Sequence, residues 1–348
     1  MDINGNFNSK ILVYDDYSIV NPSELNKRLQ GLSEYNSHYI SPMKSTEWIS
    51  ILLEGEISSG QWKYEDVIYF STKEDFDIWK KKVADFDYKN EDEYKQEILK
   101  FGGISVDSET LNNKPVKTIS DVVELEGLYT ELAKVRPFDE KRLVNFSKSF
   151  GIPIGSLIGL GDDGTQDGII CIQFSFLLPL YTELTIYRFI FNCWIALKSE
   201  DENLIKGIED RYYKAFDGQT ITFMGEKRTI KKSGTKKTLI EIIISFLNAY
   251  DYIPNTVPIR YEAINNSVKI SLNYQDLLSV AYHQLIQAIV KNASFKVCDN
   301  CGHLFEIIHE GRRFCPPLPG RKRSTCENTF NQRLKRKRRS EQNPEESE

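Results

Sequence analysis

Four of the six cysteines in this chain lie close together near its end, at Cys298, Cys301, Cys315 and Cys326. Zn²⁺ is held tetrahedrally by thiolates at about 2.3 Å, so four such ligands must converge on one point. A Cys-x-x-Cys pair supplies half of this set from a single tight turn, and two further cysteines complete it. The spacing therefore predicts one Zn²⁺ bound by these four thiolates. The alternative is four reduced structural cysteines without a metal.

The residues between the cysteines predict the elements that would position the ligands. Gly302 directly follows the pair and suits a turn with a positive φ angle. The run HLFEII then predicts the second strand of a hairpin, and Cys315 follows where the chain returns. Cys326 lies in the first turn of a predicted helix, ENTFNQRLKRKRRS. A hairpin followed by a helix that carries the last ligand is a treble-clef zinc finger, with His303 and His309 as surface residues or neighbours of the ligands.

This stretch, Cys298 to Arg339, resembles the C-terminal zinc finger of bacterial CGNR-type proteins and of related, uncharacterised treble-clef proteins. The matching residues are Cys298, Cys301, Gly302, Phe305, Arg313, Phe314, Cys315, Cys326 and Asn328. The chain departs from the pattern at Glu327 and Thr329, which replace a glycine and an arginine, and in the longer run PPLPGRKRST between the last two cysteines. The resemblance implies nucleic-acid binding, most often in transcriptional control.

The charge of the chain is strongly asymmetric. Residues 298–339 hold 11 Lys or Arg and 4 Asp or Glu, a net charge of +7, so the remainder carries −12 of the total of −5. Such a basic module can bind phosphate backbones that would repel the acidic remainder. We therefore predict contacts with nucleic acid, with DNA in preference to RNA, from Arg312, Arg313, Arg321, Lys322, Arg323, Arg333, Lys335, Arg336, Lys337, Arg338 and Arg339. The alternative is a solvated charged surface, balanced by the acidic tail or by the acidic remainder.

Hydrophobic periodicity predicts an α+β chain of three domains and a tail. The predicted segments are a mixed α/β domain at 1–117, a mainly helical domain at 118–292 with a β-hairpin near 257–272, a treble-clef zinc finger with a basic helix at 293–340, and a disordered acidic tail at 341–348. A strand is predicted at KILVYDDY, and helices at FDEKRLVNFSKSFG and TIYRFIFNCWIAL. The last helix before the finger is predicted to begin at Asn273, which can cap it.

The sequence lacks the signals of the common catalytic and membrane classes. Four histidines leave little room for His-based catalysis, and there is no P-loop, GxSxG or Rossmann glycine pattern. One acidic loop with Asp162, Asp163 and Asp167 could bind a cation but lacks EF-hand spacing. The polar start of the chain predicts no secretory leader, the most apolar run is broken by charges, and Cys171 and Cys193 are predicted reduced core thiols. We therefore expect a cytoplasmic protein without a membrane partner.

Two hypotheses for function remain open. The first is a non-enzymatic bacterial regulator, whose N-terminal domains bind a ligand or a protein partner and whose finger docks on nucleic acid. The second is an effector, such as a toxin or a phage-defence component, whose finger delivers an unrecognised activity to nucleic acid or the ribosome. The lack of a catalytic pattern favours the first. A divergent operon around the gene would support it, whereas a defence island or a toxin–antitoxin pair would support the second.

Overall fold

Helices and strands both occur in the computed structural model, which is consistent with an α+β class. The structure describes residues 6–7, 11–24, 100–106, 116–119, 125–154, 157–160, 169–172, 174–199, 201–216, 221–223, 226–228, 235–249, 259–264, 267–272, 274 and 276–342. Most of the predicted N-terminal domain lies outside these residues, as do the acidic loop at 161–168 and residues 343–348 of the predicted tail.

Short strands and longer helices follow one another along the described chain. The strands are β1 (Asn6–Phe7), β2 (Ile11–Val13), β3 (Tyr17–Val20), β4 (Gly103–Val106), β5 (Lys117–Ile119), β6 (Leu157–Leu160), β7 (Ile169–Ile172), β8 (Phe174–Phe176), β9 (Ile221–Phe223), β10 (Glu226–Arg228), β11 (Ile259–Ile264), β12 (Ser267–Leu272), β13 (Phe295–Val297) and β14 (Leu304–Glu306). The helices are α1 (Leu128–Leu132), α2 (Glu140–Phe150), α3 (Leu177–Ser199), α4 (Glu202–Phe216), α5 (Lys236–Ala249), α6 (Leu277–Val290) and α7 (Thr325–Gln342). None of the helices in these ranges combines the length and the hydropathy of a membrane span.

Strand pairing crosses the predicted domain boundary near residue 117. Strand β4 lies between β3 and β8 and is antiparallel to both, while β2 pairs with β5 and β1 pairs with β12. The buried hydrophobic residues of both predicted domains also form one cluster. The division near residue 117 stays a prediction, and the described residues on its two sides share one core. We call the described residues before 293 the body of the protein.

Helix α3 runs through this core because its sequence is apolar nearly all round, and such a helix is stable only when protein surrounds it. It packs against α4, α5 and α6. Its polar side chains find local partners: the hydroxyls of Thr182 and Thr185 donate to carbonyls one turn back, at 3.0 and 2.7 Å. The hydroxyl of Tyr187 donates to the carbonyl of Tyr129 in α1, at 2.8 Å. Helix α3 therefore fixes the position of α1, the element on which the C-terminal module rests.

Two helix starts can be compared with the starts predicted from local capping signals. The helix predicted at FDEKRLVNFSKSFG is confirmed as α2, where the carboxylate of Asp139 accepts from the backbone N–H of Arg142 at 2.9 Å. The start predicted for the last body helix was wrong, because α6 is capped by Asp276 and not by Asn273. The Asp276 carboxylate accepts one hydrogen bond from the N–H and one from the hydroxyl of Ser279, at 2.7 Å each. These two hydrogen bonds fix the start of the helix three residues after the predicted cap.

The β-hairpin predicted near residues 257–272 is present. Strands β11 and β12 pair antiparallel from Ile259 opposite Leu272 to Ile264 opposite Ser267, so two residues connect them. A two-residue connection is typical of a tight hairpin, which the Asn-Asn sequence at 265–266 indicated.

The C-terminal module, residues 293–342, has its own small core. Strands β13 and β14 form an antiparallel hairpin, and α7 follows after a loop. Cys298, Phe305 and Cys315 are buried together there, with Phe314 and Cys326 packed against them. A core of this size buries too little apolar surface to hold a fold by itself, and small modules of this kind are usually held by a metal or by disulfides. The module is thus compatible with a zinc finger.

Candidate metal centre

The four cysteines predicted as ligands converge on one point. The Sγ atoms of Cys298, Cys301, Cys315 and Cys326 all lie within 4.8 Å of one another, and those of Cys301 and Cys315 are 3.5 Å apart. Four thiolates at about 2.3 Å from a tetrahedral ion would lie about 3.8 Å from one another. The cluster therefore has the size and the donor set of a site that could hold one metal ion.

The first two cysteines lie in a closed turn between β13 and β14. The N–H of Gly302 donates to the carbonyl of Cys298 at 3.0 Å, and the N–H of Cys298 donates to the carbonyl of His303 at 2.9 Å. Gly302 has a φ angle of 71°, in the left-handed region that glycine adopts without steric cost. The turn thus positions two sulfurs on one side of the hairpin, as the sequence predicted.

The fourth cysteine is held by the start of α7. Ser324 is buried, and its hydroxyl accepts from the backbone N–H groups of Cys326, at 3.1 Å, and Glu327, at 3.4 Å. This cap places Cys326 in the first helical turn, where the helix dipole favours a thiolate. Sequence reasoning missed Ser324, although Ser324 followed three residues later by Glu327 is the pattern of a capping box.

A lysine from the body contacts the cluster. Lys134, two residues after the end of α1, donates from Nζ to Sγ of Cys315 at 3.3 Å and forms an ion pair with Glu131. Only 7% of its side chain is exposed. Four thiolates around a divalent metal carry a net charge of −2, so a buried ammonium group at one sulfur stabilises the loaded site. No sequence signal indicated this contact.

The backbone around the cluster affects the pKa of its thiols unequally. Burial raises the pKa of Cys298, but N–H groups of residues 300, 301 and 315 more than offset it, and that pKa is lowered to about 7. Burial raises the pKa of Cys326 to about 11, with a further contribution from Cys301, and burial also raises the pKa of Cys315. A bound metal favours the deprotonated form of every ligand, so loading the site must release protons.

Neither nearby histidine belongs to the cluster. His303 and His309 are both exposed, and the four sulfurs are grouped without them. Partial removal of its ring from water lowers the pKa of His303, and the positive charges of Lys134 and Arg142 lower it further. His303 therefore lies beside cationic groups of the body.

Several contacts hold the module against the body. Arg312 forms an ion pair with Glu126, and the hydroxyl of Tyr129 donates to Oε2 of Glu306 at 2.8 Å. The ring of Phe295 packs edge-on to that of Tyr129, with centroids 6.5 Å apart. Elements from both sides thus share a junction at α1, which orients the C-terminal module relative to the body.

The basic residues predicted to contact nucleic acid divide into two groups. Arg312 is used at the junction, and Arg313 forms an ion pair with Asp299 inside the module. The other predicted contacts are all exposed, namely Arg321, Lys322, Arg323, Arg333, Lys335, Arg336, Lys337, Arg338 and Arg339. Two of them have partners in the module: Arg333 donates to Oδ1 of Asn300 at 3.3 Å, and Lys337 lies 4.0 Å from a carboxylate oxygen of Glu341. The exposed group therefore lies just before and along α7.

The described residues define a mixed α+β protein whose C-terminal module carries four cysteines that could hold a metal ion. Comparison with protein-family models, with curated proteins and with solved structures found no match to this chain. The resemblance to CGNR-type fingers therefore rests on the cysteine pattern and stays a hypothesis.

Proposed function

We propose that this chain is a zinc-dependent nucleic-acid-binding protein in which one Zn²⁺ on the four cysteines holds α7 as the contact element. One observation carries the proposal. The cluster fixes the first turn of α7 through Cys326, while every residue from 331 to 339 is exposed. The bound metal would thus hold an oriented, strongly basic helix end away from the protein surface.

Zn²⁺ is the ion that this donor set favours. Four thiolates in a tetrahedral arrangement suit Zn²⁺, whereas oxygen donors suit Mg²⁺ and Ca²⁺. A site closed by four protein ligands leaves no open position for substrate, so its role is structural. This supports a binding protein over a metalloenzyme.

The charge distribution along α7 supports DNA as the preferred partner. Its 18 residues make a rod about 27 Å long. Successive residues turn by about 100°, so Arg333 and residues 335–339 are distributed around the whole helix axis. The major groove of B-DNA is about 12 Å wide and admits such a helix with phosphates on both sides, whereas the major groove of A-form RNA is too narrow. Charges all round the helix suit this environment.

We further propose that the protein is a cytoplasmic bacterial regulator whose body binds a ligand or a partner. The junction contacts at α1 support this, because a change in the body would alter the orientation of α7. Those contacts include the ion pair of Arg312 and the hydrogen bond of Tyr129.

Salt-dependent binding to duplex DNA and to RNA tests the nucleic-acid function. If about five charges meet phosphates, the slope of log K against log salt is about −4 to −5 for duplex DNA. Replacing Arg336, Lys337, Arg338 and Arg339 with Gln should flatten the slope and weaken binding to all sequences alike. A control with the same change in net charge replaces four exposed body lysines, Lys141, Lys148, Lys206 and Lys237, with Gln. Removing the residues after Ser340, half of which are acidic, should strengthen binding.

Two results would contradict this function. One is the absence of salt-sensitive binding to either nucleic acid by the zinc-loaded protein. The other is equal weakening by the α7 variant and by the body-lysine control, which would show that only the overall charge of the protein matters.

A further inference from the structure

One side of helix α7 is held by contacts with the rest of the C-terminal module. Cys326 packs against the cysteine cluster, and Arg333 donates to Oδ1 of Asn300 at 3.3 Å. Between them, the ring of Phe330 packs against that of Phe314, with centroids 5.3 Å apart. These contacts come from residues at i, i+4 and i+7, which lie on one side of a helix. They fix the rotation of α7 about its own axis, so its opposite side faces away from the module.

The outward side of α7 carries three amide side chains, those of Asn328, Asn331 and Gln332, which we call the amide face. At about 100° per residue, they fall within an arc of about 100° opposite the module contacts. All three are exposed. The side chains of Asn331 and Gln332 make no hydrogen bond or ion pair within the part of the chain that the structure describes. Uncharged amides exert no long-range attraction on phosphates, so their place on this side indicates hydrogen bonding to a partner at close range.

Cations flank the amide face on both sides. Arg336 and Arg338 lie one to two turns beyond Gln332, about 80° to either side of Asn328 around the helix axis. In the major groove of DNA, base edges form the floor and phosphates line the two walls. A helix that turns its amide face to the floor therefore brings one arginine to each wall. From Asn328 to Gln332 the helix rises about 6 Å, which spans about two base pairs.

One exposed apolar residue lies beside the amide face. Leu334 is 38% exposed, although every other residue from 331 to 339 is polar, and it lies about 60° from Asn331 around the axis. The apolar group that a base edge presents in the major groove is the C5 methyl of thymine. The amides of Asn and Gln, in turn, match N6 and N7 of adenine as bidentate partners. Two different residue types thus fit the same base pair.

We propose that α7 reads A·T base pairs in the major groove, with Asn331 and Gln332 on N6 and N7 of adenine and Leu334 on thymine methyl groups. This inference rests on the proposed DNA-binding function and deepens it by naming the preferred base pairs and the residues that select them. The basic residues 336–339 supply affinity without selection, because contacts to phosphates carry no sequence information.

Two duplexes of equal length, one of mixed A·T pairs and one of mixed G·C pairs, test the proposal with the zinc-loaded, full-length protein at one salt concentration. We expect the A·T duplex to bind about tenfold or more tightly, because a bidentate contact discriminates between bases by about this factor. Replacing adenine with 7-deazaadenine removes N7, and replacing thymine with uracil removes the methyl group, while both keep Watson–Crick pairing. Each replacement should weaken binding by the wild type.

Variants of α7 assign these effects to residues. The double variant Asn331→Ala with Gln332→Ala should bind both duplexes alike and should not respond to 7-deazaadenine. Leu334→Ser should lose the response to uracil and keep the response to 7-deazaadenine. Asn203→Ala, which removes an exposed amide of α4 in the body, is the matched control and should keep the preference of the wild type. Zinc content and circular dichroism show whether each variant is folded.

Salt-sensitive binding of both duplexes with equal affinity would overturn this inference and leave the proposed function standing. An A·T preference that persists in the folded double variant, or that 7-deazaadenine does not reduce, would also overturn it. The preference would then come from the shape of the DNA and not from its base edges. The absence of salt-sensitive binding to either duplex would contradict the proposed function itself, so the two failures are distinguishable.

Discussion

Replacement of Lys134 with methionine should weaken zinc binding, although this lysine is not a ligand. The side chain is 7% exposed and donates to Sγ of Cys315 at 3.3 Å. A hydrogen bond to a charged group contributes about 1.5–3 kcal/mol. At about 1.4 kcal/mol per factor of ten, its loss lowers zinc affinity about ten- to one-hundredfold. Groups that contact metal ligands have effects of about this size elsewhere.

The ion-pair partner of Lys134 adds a second effect that can be separated. Methionine leaves Glu131, whose side chain is 18% exposed, without its cation and close to the thiolate of Cys315. The double variant Lys134→Met with Glu131→Gln removes that repulsion, so it should bind zinc more tightly than Lys134→Met alone. Glu131→Gln by itself should stay close to the wild type, because the contact between Lys134 and Cys315 is kept.

Competition against a chromophoric zinc chelator, at one pH and one salt concentration, measures these affinities in the full-length protein. Lys148→Met is the matched control, because Lys148 is an exposed lysine of α2. Circular dichroism of each variant shows whether the body remains folded. Zinc affinity of Lys134→Met equal to that of the wild type and of the control would refute the reasoning. It would mean that the contact between Lys134 and Cys315 contributes no free energy to zinc binding.

Three further predictions concern other parts of the chain. Cys298→Ser should lose stoichiometric zinc in elemental analysis while Cys193→Ala, in the body core, keeps it; equal zinc in both would exclude the four-cysteine site. Burial raises the pKa of Glu183 from 4.5 to about 8, so this carboxyl binds its proton more tightly in the folded state than in the unfolded state. Its contribution to stability is therefore lost as the pH rises from 4.5 to about 8. Glu183→Gln should therefore raise the melting temperature at about pH 9 more than at about pH 5, and an equal effect at both would contradict this. Gly302→Ala should lower the free energy of unfolding, measured with denaturant, by about 1–2 kcal/mol, because its φ angle is 71° although the space around an added Cβ is open. Gly127→Ala should lower it more, because the added Cβ would also lie 2.5 Å from a proline ring of the module.

Much of the four-cysteine cluster was predictable because its geometry is local. The spacing of Cys298 and Cys301, with Gly302 after them, specifies a turn that needs no information from the rest of the chain. The place of Cys326 in a first helical turn follows from the polar, helix-forming run behind it. The helix α2 and the hairpin of β11 and β12 were predictable for the same reason.

The groups around the centre could not be predicted, because they come from distant parts of the sequence. Lys134 and Cys315 are 181 residues apart, and Arg312 and Glu126 are 186 residues apart. Periodicity shows that a residue lies on a helix or in a core, but it carries no information on which distant surface that helix contacts. The pairing of β4 with β8 was missed for the same reason.

The position of Lys134 has a consequence for how the two parts of the protein communicate. The segment from Glu126 to Lys134 supplies an ion pair to Arg312 and an ammonium group to Sγ of Cys315. A ligand or partner that bound the body at this segment would therefore act directly on the contacts that hold the C-terminal module. A movement of that segment would alter both the electrostatics at the cysteines and the contacts that orient the C-terminal module. Regulation of nucleic-acid binding in this chain would thus need no long pathway, because the contacts to Arg312 and to Cys315 come from the same segment of the body.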